Sequence, residues 1–185
     1  FIGLVGFLDP PKKDVKQTIK ELKKYGIQTK VITGDNQYAT ENICGLVGIE
    51  GDILLGSDLE KMTDEELGKK VEEVNIFARM NPMQKERIVN ALRKNGHVVG
   101  YMGDGVNDAA SLHSADVGIC VNTGADIAKE SSDIILLEKS LKVILDGVLE
   151  GRKVYANIEK YMKLAISSDF GDVFSILIAS IFLPF

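Results

Sequence analysis

The strongest constraint on how this chain can fold is its alternation of short apolar runs with helical patterns, each run closed by a polar or glycine turn. Residues 1–8, 29–32, 75–78, 98–102, 117–121 and 134–137 read as buried strands. Helical spacing of apolar residues marks 12–25, where Val15, Ile19 and Leu22 recur, and 82–95, where Ile88, Ala91 and Leu92 share a face. Further helices are expected at 39–47, up to Ala115, and at 125–130. Strand–helix alternation of this kind predicts an α/β fold, a parallel sheet with helices on both faces. At 185 residues the chain is long enough to bury one such core. The segment 51–74 is acidic and weakly patterned, and reads as short surface helices with Ser57 and Thr63 as caps. Neither an internal repeat nor a low-complexity stretch interrupts the pattern.

The turn Gly103-Asp104-Gly105-Val106-Asn107-Asp108 stands out chemically. It follows the apolar run 98–102 and lies where open α/β sheets bind ligands, at the carboxyl end of a strand. Glycine lets backbone turn sharply and approach a ligand closely. Two carboxylates there suit a hard cation such as Mg2+, which takes oxygen ligands and bridges to phosphates. A plainer reading, a strand-to-helix turn with Asp108 as the cap, accounts for one acid but not for both.

A net charge of -5, with no basic stripe interleaved with aromatics, argues against nucleic-acid binding. Cys44 and Cys120 are far apart in apolar surroundings, which fits neither a disulfide framework nor a zinc site and suits a reducing compartment. The chain starts at Phe1 inside a strand pattern and stops inside an apolar run, so it is expected to be a piece of a longer protein. Asp9-Pro10-Pro11-Lys12 is a stiff break suited to a hinge.

From Ser140 the pattern becomes one long helix without proline, running into an uncharged stretch from Val173. A membrane span needs ~20 mostly apolar residues, which Leu164 onward supplies if Asp169 and Asp172 are accommodated. The expectation is a helix that leaves a soluble domain and enters a bilayer. Acids at that depth are a functional-site hypothesis by default, and their spacing of three puts both on one face.

Three pieces of a phosphoryl-transfer site line up: the hydroxyl and N–H groups of Thr33-Gly34-Asp35, the cation of Lys85, and the acid pair Asp104 and Asp108. With Asp9-Pro10-Pro11-Lys12, Thr33-Gly34-Asp35-Asn36, Phe77-Ala78-Arg79, Pro82, Gln84-Lys85 and 103–109 in this order, the sequence resembles the P-type cation-transporting ATPases, whose phosphorylation domain is haloacid-dehalogenase-like. The stretches 126–141 and 167–175, with the ending Phe182-Leu183-Pro184-Phe185, are most similar to the magnesium-transporting branch.

The resemblance implies an ATP-driven pump with an aspartyl-phosphate intermediate, needing Mg2+ as cofactor and ATP as substrate. Thr33, with Gly34 and Asp35, would bind a phosphoryl oxygen, Lys85 would neutralise it, and Asn107 would contact the phosphorylation loop. Asp104 would ligate Mg2+, Asp108 would support it, and Asp169 and Asp172 are candidates for the transported divalent cation. It further implies that 1–9 close a nucleotide-binding domain, 10–150 form the rear of a phosphorylation domain, and 151–185 form a stalk and part of a fifth membrane helix. Residues before the tail would face the cytoplasm.

Two departures stand beside the matches. The nucleophile motif Asp-Lys-Thr-Gly-Thr does not occur in the chain, so its strand, the nucleotide pocket and the actuator domain would belong to other segments of the same polypeptide. The magnesium pumps carry amides near Asp169 and Asp172, so the acids bear on which ion is carried. A soluble phosphatase of the haloacid-dehalogenase type, or a non-catalytic membrane-tethered binding module, are the alternatives.

Overall fold

The computed structural model describes residues 2, 11–12, 14–138 and 140–183. It divides into two units, Phe1–Val143 and Ile144–Phe185. Apart from Ile2, Pro11 and Lys12, the expected first strand and the hinge lie outside the described residues.

The first unit holds two three-stranded parallel sheets with helices on both faces. In one, β1 (Val31–Ile32) and β2 (Ile53–Leu55) flank the central β3 (Ile76–Ala78). In the other, β4 (Gly100–Met102) and β6 (Ile134–Leu136) flank β5 (Val117–Val121). The helices are α1 (Val15–Lys24), α2 (Gln37–Val47), α3 (Gly56–Leu59), α4 (Asp64–Glu73), α5 (Pro82–Lys94), α6 (Ala109–Ser114) and α7 (Asp126–Glu130).

The expected single sheet is thus split. β1 and β4 each end their sheet, and each is paired on one side only among the described residues. In β4 the faces alternate, with Tyr101 buried and Met102 exposed, and Val98 before the strand is exposed as well. Unpaired strand edges of this kind are templates for another strand.

Helix α5 joins the two halves. Its start is set by a capping box in which Asn81 accepts the Gln84 N–H at 2.9 Å and Gln84 Oε1 accepts the Asn81 N–H at 3.0 Å, with Pro82 in the first turn. Ile88, Ala91 and Leu92 enter a core with Leu54, Leu59, Leu67, Val71, Val74 and Phe77. Val89, one residue round, enters a second core with Tyr101, Leu112, Cys120 and Ala128. Ile32 and Val99 pack against both clusters.

The segment 51–74 corrects the reading of it as surface. Ile53–Leu55 is a strand pairing with β3, and Leu59, Leu67 and Val71 are fully buried. Thr63 caps α4 through a capping box with Glu66, whereas Ser57 lies inside α3. Arg87 of α5 ties this region down, donating to Asp64, to the Leu59 carbonyl and to the Met62 carbonyl. Leu67, Val71 and Val74 recur at helical spacing, so the signal was present but diluted by acids.

Helix α8 (Leu141–Phe182), whose first three residues belong to the first unit and whose remainder makes up most of the second, runs 42 residues that Gly147, Gly151 and Gly171 do not interrupt. At 1.5 Å per residue it is about 63 Å long, roughly twice a hydrocarbon core. Its most apolar window has a mean hydropathy of 1.6, which makes it long and apolar enough to cross a membrane. Leu164, Ile166, Phe170, Val173, Phe174 and Ile176 are all exposed, and the rings of Phe170 and Phe174 stack at 6.3 Å.

Candidate functional site

The acidic turn leaves β4 and passes through a single 3-10 turn, Val106–Asp108, into α6. Asp108 occupies the position before α6 but makes no capping bond to it. Its side chain turns back instead. Oδ1 accepts Lys85 Nζ at 2.8 Å and the Tyr101 hydroxyl at 2.9 Å, and Oδ2 accepts the Gly105 N–H at 3.2 Å. The side chains of Lys85 and Asp108 are 12% and 13% exposed, so this ion pair is largely shielded from water.

Lys85 gets there because the Asn81 capping box fixes the first turn of α5, and because Val89, one turn on, is anchored in the second core. Sequence spacing placed Lys85 and Asp108 in one site; the structure shows them in direct contact.

The electrostatics follow from these contacts. Burial works against the charged form of Asp108, but hydrogen bonds from Lys85, Tyr101 and Gly105 outweigh it and hold the carboxyl below its ordinary range. Burial, reinforced by the Asp108 charge, pushes the Tyr101 phenol far up, so it is a neutral donor at any physiological pH.

Gly103 is required by this arrangement. A Cβ there would lie 2.5 Å from Asp108 Cβ and 2.8 Å from its Cγ. Gly103→Ala is therefore expected to force Asp108 aside, breaking its contacts with Lys85 and Tyr101 at a cost of about 1–3 kcal/mol. Thermal unfolding of the two proteins checks this; equal stability would mean the turn is looser than described.

Asp104 differs from Asp108. It is exposed, its carboxylate makes no hydrogen bond among the described residues, and its main-chain oxygen accepts the Ala125 N–H at 2.9 Å. Among the described residues no group of three or more His, Cys, Asp or Glu side chains gathers into a metal cage. An exposed carboxylate beside a second acid, without a cage, fits Mg2+, which uses one or two carboxylates and completes its shell with water and phosphate oxygens. Asn107 lies exposed in the same turn.

The Thr33 turn is built separately. Thr33 Oγ1 donates to Asp35 Oδ2 at 2.9 Å and accepts the Asp35 N–H at 3.1 Å. Met80 N–H donates to the Thr33 carbonyl and Arg79 N–H to the Asp35 carbonyl, both at 2.9 Å. Arg79 holds a left-handed φ of 56° there, rare for a residue with a side chain. A Cβ added at Gly34 would meet the Met80 carbonyl oxygen at an ordinary contact distance of 3.5 Å. No hydrogen bond among the described residues joins this turn to Lys85, Asp104 or Asn107. Asp169 and Asp172 lie in α8, exposed and three residues apart.

Sequence reasoning missed Tyr101, which it took as one apolar residue in a strand. A buried tyrosine needs a partner for its hydroxyl, and that requirement was the available signal.

A family model for haloacid dehalogenase-like hydrolases matches residues 1–116. The chain is 51% identical over 184 residues to the magnesium-transporting ATPase, P-type 1, of Escherichia coli (strain K12), covering 99% of this chain and 20% of that protein. It is 43% identical over 183 residues to calcium-transporting ATPase 1 of Bacillus cereus (strain ATCC 10987 / NRS 248), covering 97% and 21%. The crystal structure of a zinc-transporting PIB-type ATPase shares the fold, with a TM-score of 0.75 at 24% identity over 92% of this chain and 24% of that one. The chain spans about a fifth of the length of the curated relatives it matches.

Proposed function

The chain belongs to the haloacid dehalogenase-like hydrolases, and we propose that within them it supplies the Mg2+-binding and phosphate-stabilising half of the phosphorylation site in an ATP-driven, P-type cation pump. The transported ion in this reading is Mg2+. The observation that carries it is the shielded Lys85–Asp108 pair at the base of the exposed Asp104 turn. A lysine held by a carboxylate beside an open acidic turn can be lent to a phosphoryl oxygen, while the acids keep a cation nearby.

Each residue then has a task. Asp104, with Asp108 behind it, would hold Mg2+, which when bound neutralises charge on the phosphoryl oxygens. Lys85 would stabilise those oxygens from the other side. Thr33, Gly34 and Asp35 would offer a hydroxyl and N–H groups to them, and Asn107 would contact the loop carrying the phosphorylated aspartate. That aspartate has to come from a segment outside these 185 residues, since the chain holds no Asp-Lys-Thr-Gly-Thr. The strand bearing it would fit between β1 and β4, each of which ends its sheet with one side unpaired among the described residues.

Residues 1–9 would end the nucleotide-binding domain, 10–150 complete the phosphorylation domain on the cytoplasmic side, and 151–185 form the stalk and part of a membrane helix. The test is the full-length protein in detergent with γ-labelled ATP. A Mg2+-dependent, hydroxylamine-labile phosphoenzyme is expected, together with ATP-driven cation uptake once the protein is in proteoliposomes; ATP hydrolysis with no cation uptake would favour a phosphatase instead.

The two acids of α8 would contribute oxygens to the transported cation, since a carboxylate at membrane depth is retained only where it meets a cation, a partner or water. In the full-length protein Asp172→Ala is expected to abolish cation-stimulated dephosphorylation while phosphorylation from inorganic phosphate persists. Unchanged cation affinity in both Asp169→Ala and Asp172→Ala would place the acids at the membrane surface.

A further inference from the structure

We propose that Tyr101 is a positioning residue of the Mg2+ turn, its hydroxyl holding Asp108 in place when Lys85 is drawn to the phosphoryl group. The inference rests on the phosphoryl-transfer reading given above. It starts from an anomaly in the core. Tyr101 is 7% exposed, in a β4 position surrounded by Val89, Leu112, Cys120 and Ala128. An aliphatic residue or phenylalanine would fill such a place without carrying a polar atom inward. A phenol there must find a partner, and it finds Asp108 Oδ1 at 2.9 Å.

Ser111, also near the phenol, acts on its oxygen as a donor and so does not compete for its O–H. Ser111 Oγ is fully buried, yet makes no full hydrogen bond among the described residues. The single O–H of Tyr101 is therefore committed to the carboxylate.

The commitment matters because Asp108 has two kinds of donor. Lys85 is long and flexible and has work elsewhere in the proposed reaction. Tyr101 is held by the core and the Gly105 N–H by the turn, so neither can leave. When the Lys85 ammonium turns toward a phosphoryl oxygen, Oδ1 would otherwise be a shielded charge without a donor. Such a carboxylate would hold the lysine back or rotate away from the metal position. A fixed hydroxyl on the same oxygen keeps Asp108 in one rotamer with or without Lys85.

The experiment uses the full-length protein in detergent. Two quantities are read: the Mg2+ concentration that half-stabilises the protein against heat without ATP, and the half-saturating Mg2+ and ATP for phosphoenzyme formation. Tyr101→Phe keeps the ring and removes one hydroxyl. It is expected to raise the Mg2+ value for phosphoenzyme formation about tenfold, the scale of one hydrogen bond to a charged group, and the ATP-free value, where Lys85 still holds Asp108, by a smaller factor, while the ATP value stays within about twofold. Ser111→Ala removes a hydroxyl without a full partner and is expected to leave all three within about twofold.

Mg2+ values unchanged in Tyr101→Phe would overturn the positioning role. So would an equal shift in Ser111→Ala, which would mean that packing rather than the hydroxyl matters. A wild-type protein that forms no phosphoenzyme, while Tyr101→Phe still raises the ATP-free Mg2+ value, would sink the pump reading and leave the hold on Asp108 standing.

Discussion

Asp104→Asn in the full-length protein is expected to cut phosphoenzyme formation from ATP by about 100-fold or more, while thermal unfolding stays nearly unchanged. The two halves of that expectation come from different parts of the same residue. Its main-chain oxygen, which accepts the Ala125 N–H at 2.9 Å and ties the turn to the start of α7, is untouched by the change. Its side chain is exposed and makes no hydrogen bond among the described residues, so an amide of the same size leaves no buried group unpaired. Only the charge is lost, and a hard cation held by one or two carboxylates depends on that charge. Wild-type phosphoenzyme levels in Asp104→Asn would reduce Asp104 to a turn residue and leave the acidic loop without a metal.

Lys85→Met should injure both fold and chemistry. With the side chains of Lys85 and Asp108 only 12% and 13% exposed, removing the ammonium leaves a shielded carboxylate to Tyr101 and Gly105 alone. Breaking a buried pair costs about 3–5 kcal/mol, and the residual exposure here argues for roughly 2–4 kcal/mol. The pH dependence gives the cause away. In the wild type Asp108 is depressed, so its contribution is present above the ordinary carboxylate range and is lost only as pH falls through the folded value.

Without Lys85 the opposing effect of burial gains weight, and the carboxyl moves up. A raised carboxyl binds its proton more tightly when folded, so the variant should recover part of its loss as pH falls from neutral toward the ordinary carboxylate range. A deficit that does not shrink on acidification would show that Lys85 matters through its packing, not its charge. Combining Lys85→Met with Asp108→Asn should cost less than the sum of the two single changes, by about 1–3 kcal/mol.

The elements read most easily were those whose signal is local. β5 appears at the expected Val117–Val121, and α5 starts at Pro82, because five consecutive apolar or small residues and an Asn-Pro-x-Gln start need no distant partner to be recognised. β2 was not legible. Ile53–Leu55 is three residues long, too short for a period, and becomes a strand only because β3 lies beside it. The burial of Leu59 and Leu67 was hidden for a related reason, since their cover comes from α5, more than a dozen residues further along the chain.

The candidate site divides in the same way. Which residue types stand there, two acids and an amide among glycines after a strand, with a lysine near a helix start, is written in the sequence, because turn geometry and side-chain chemistry are local properties. The length and apolar character of α8 are equally local. Who touches whom is not. Lys85 and Asp108 are 23 residues apart, and they meet because α5 places Val89 in one core and Ile88, Ala91 and Leu92 in the other. The splitting of the expected sheet at β1 and β4 was also decided in three dimensions, as pairing is a property of two strands and neither contains the other. Tyr101 is the clearest case. Its sequence position says buried strand residue, and only the fold of the turn back over β4 gives its hydroxyl a carboxylate to hold.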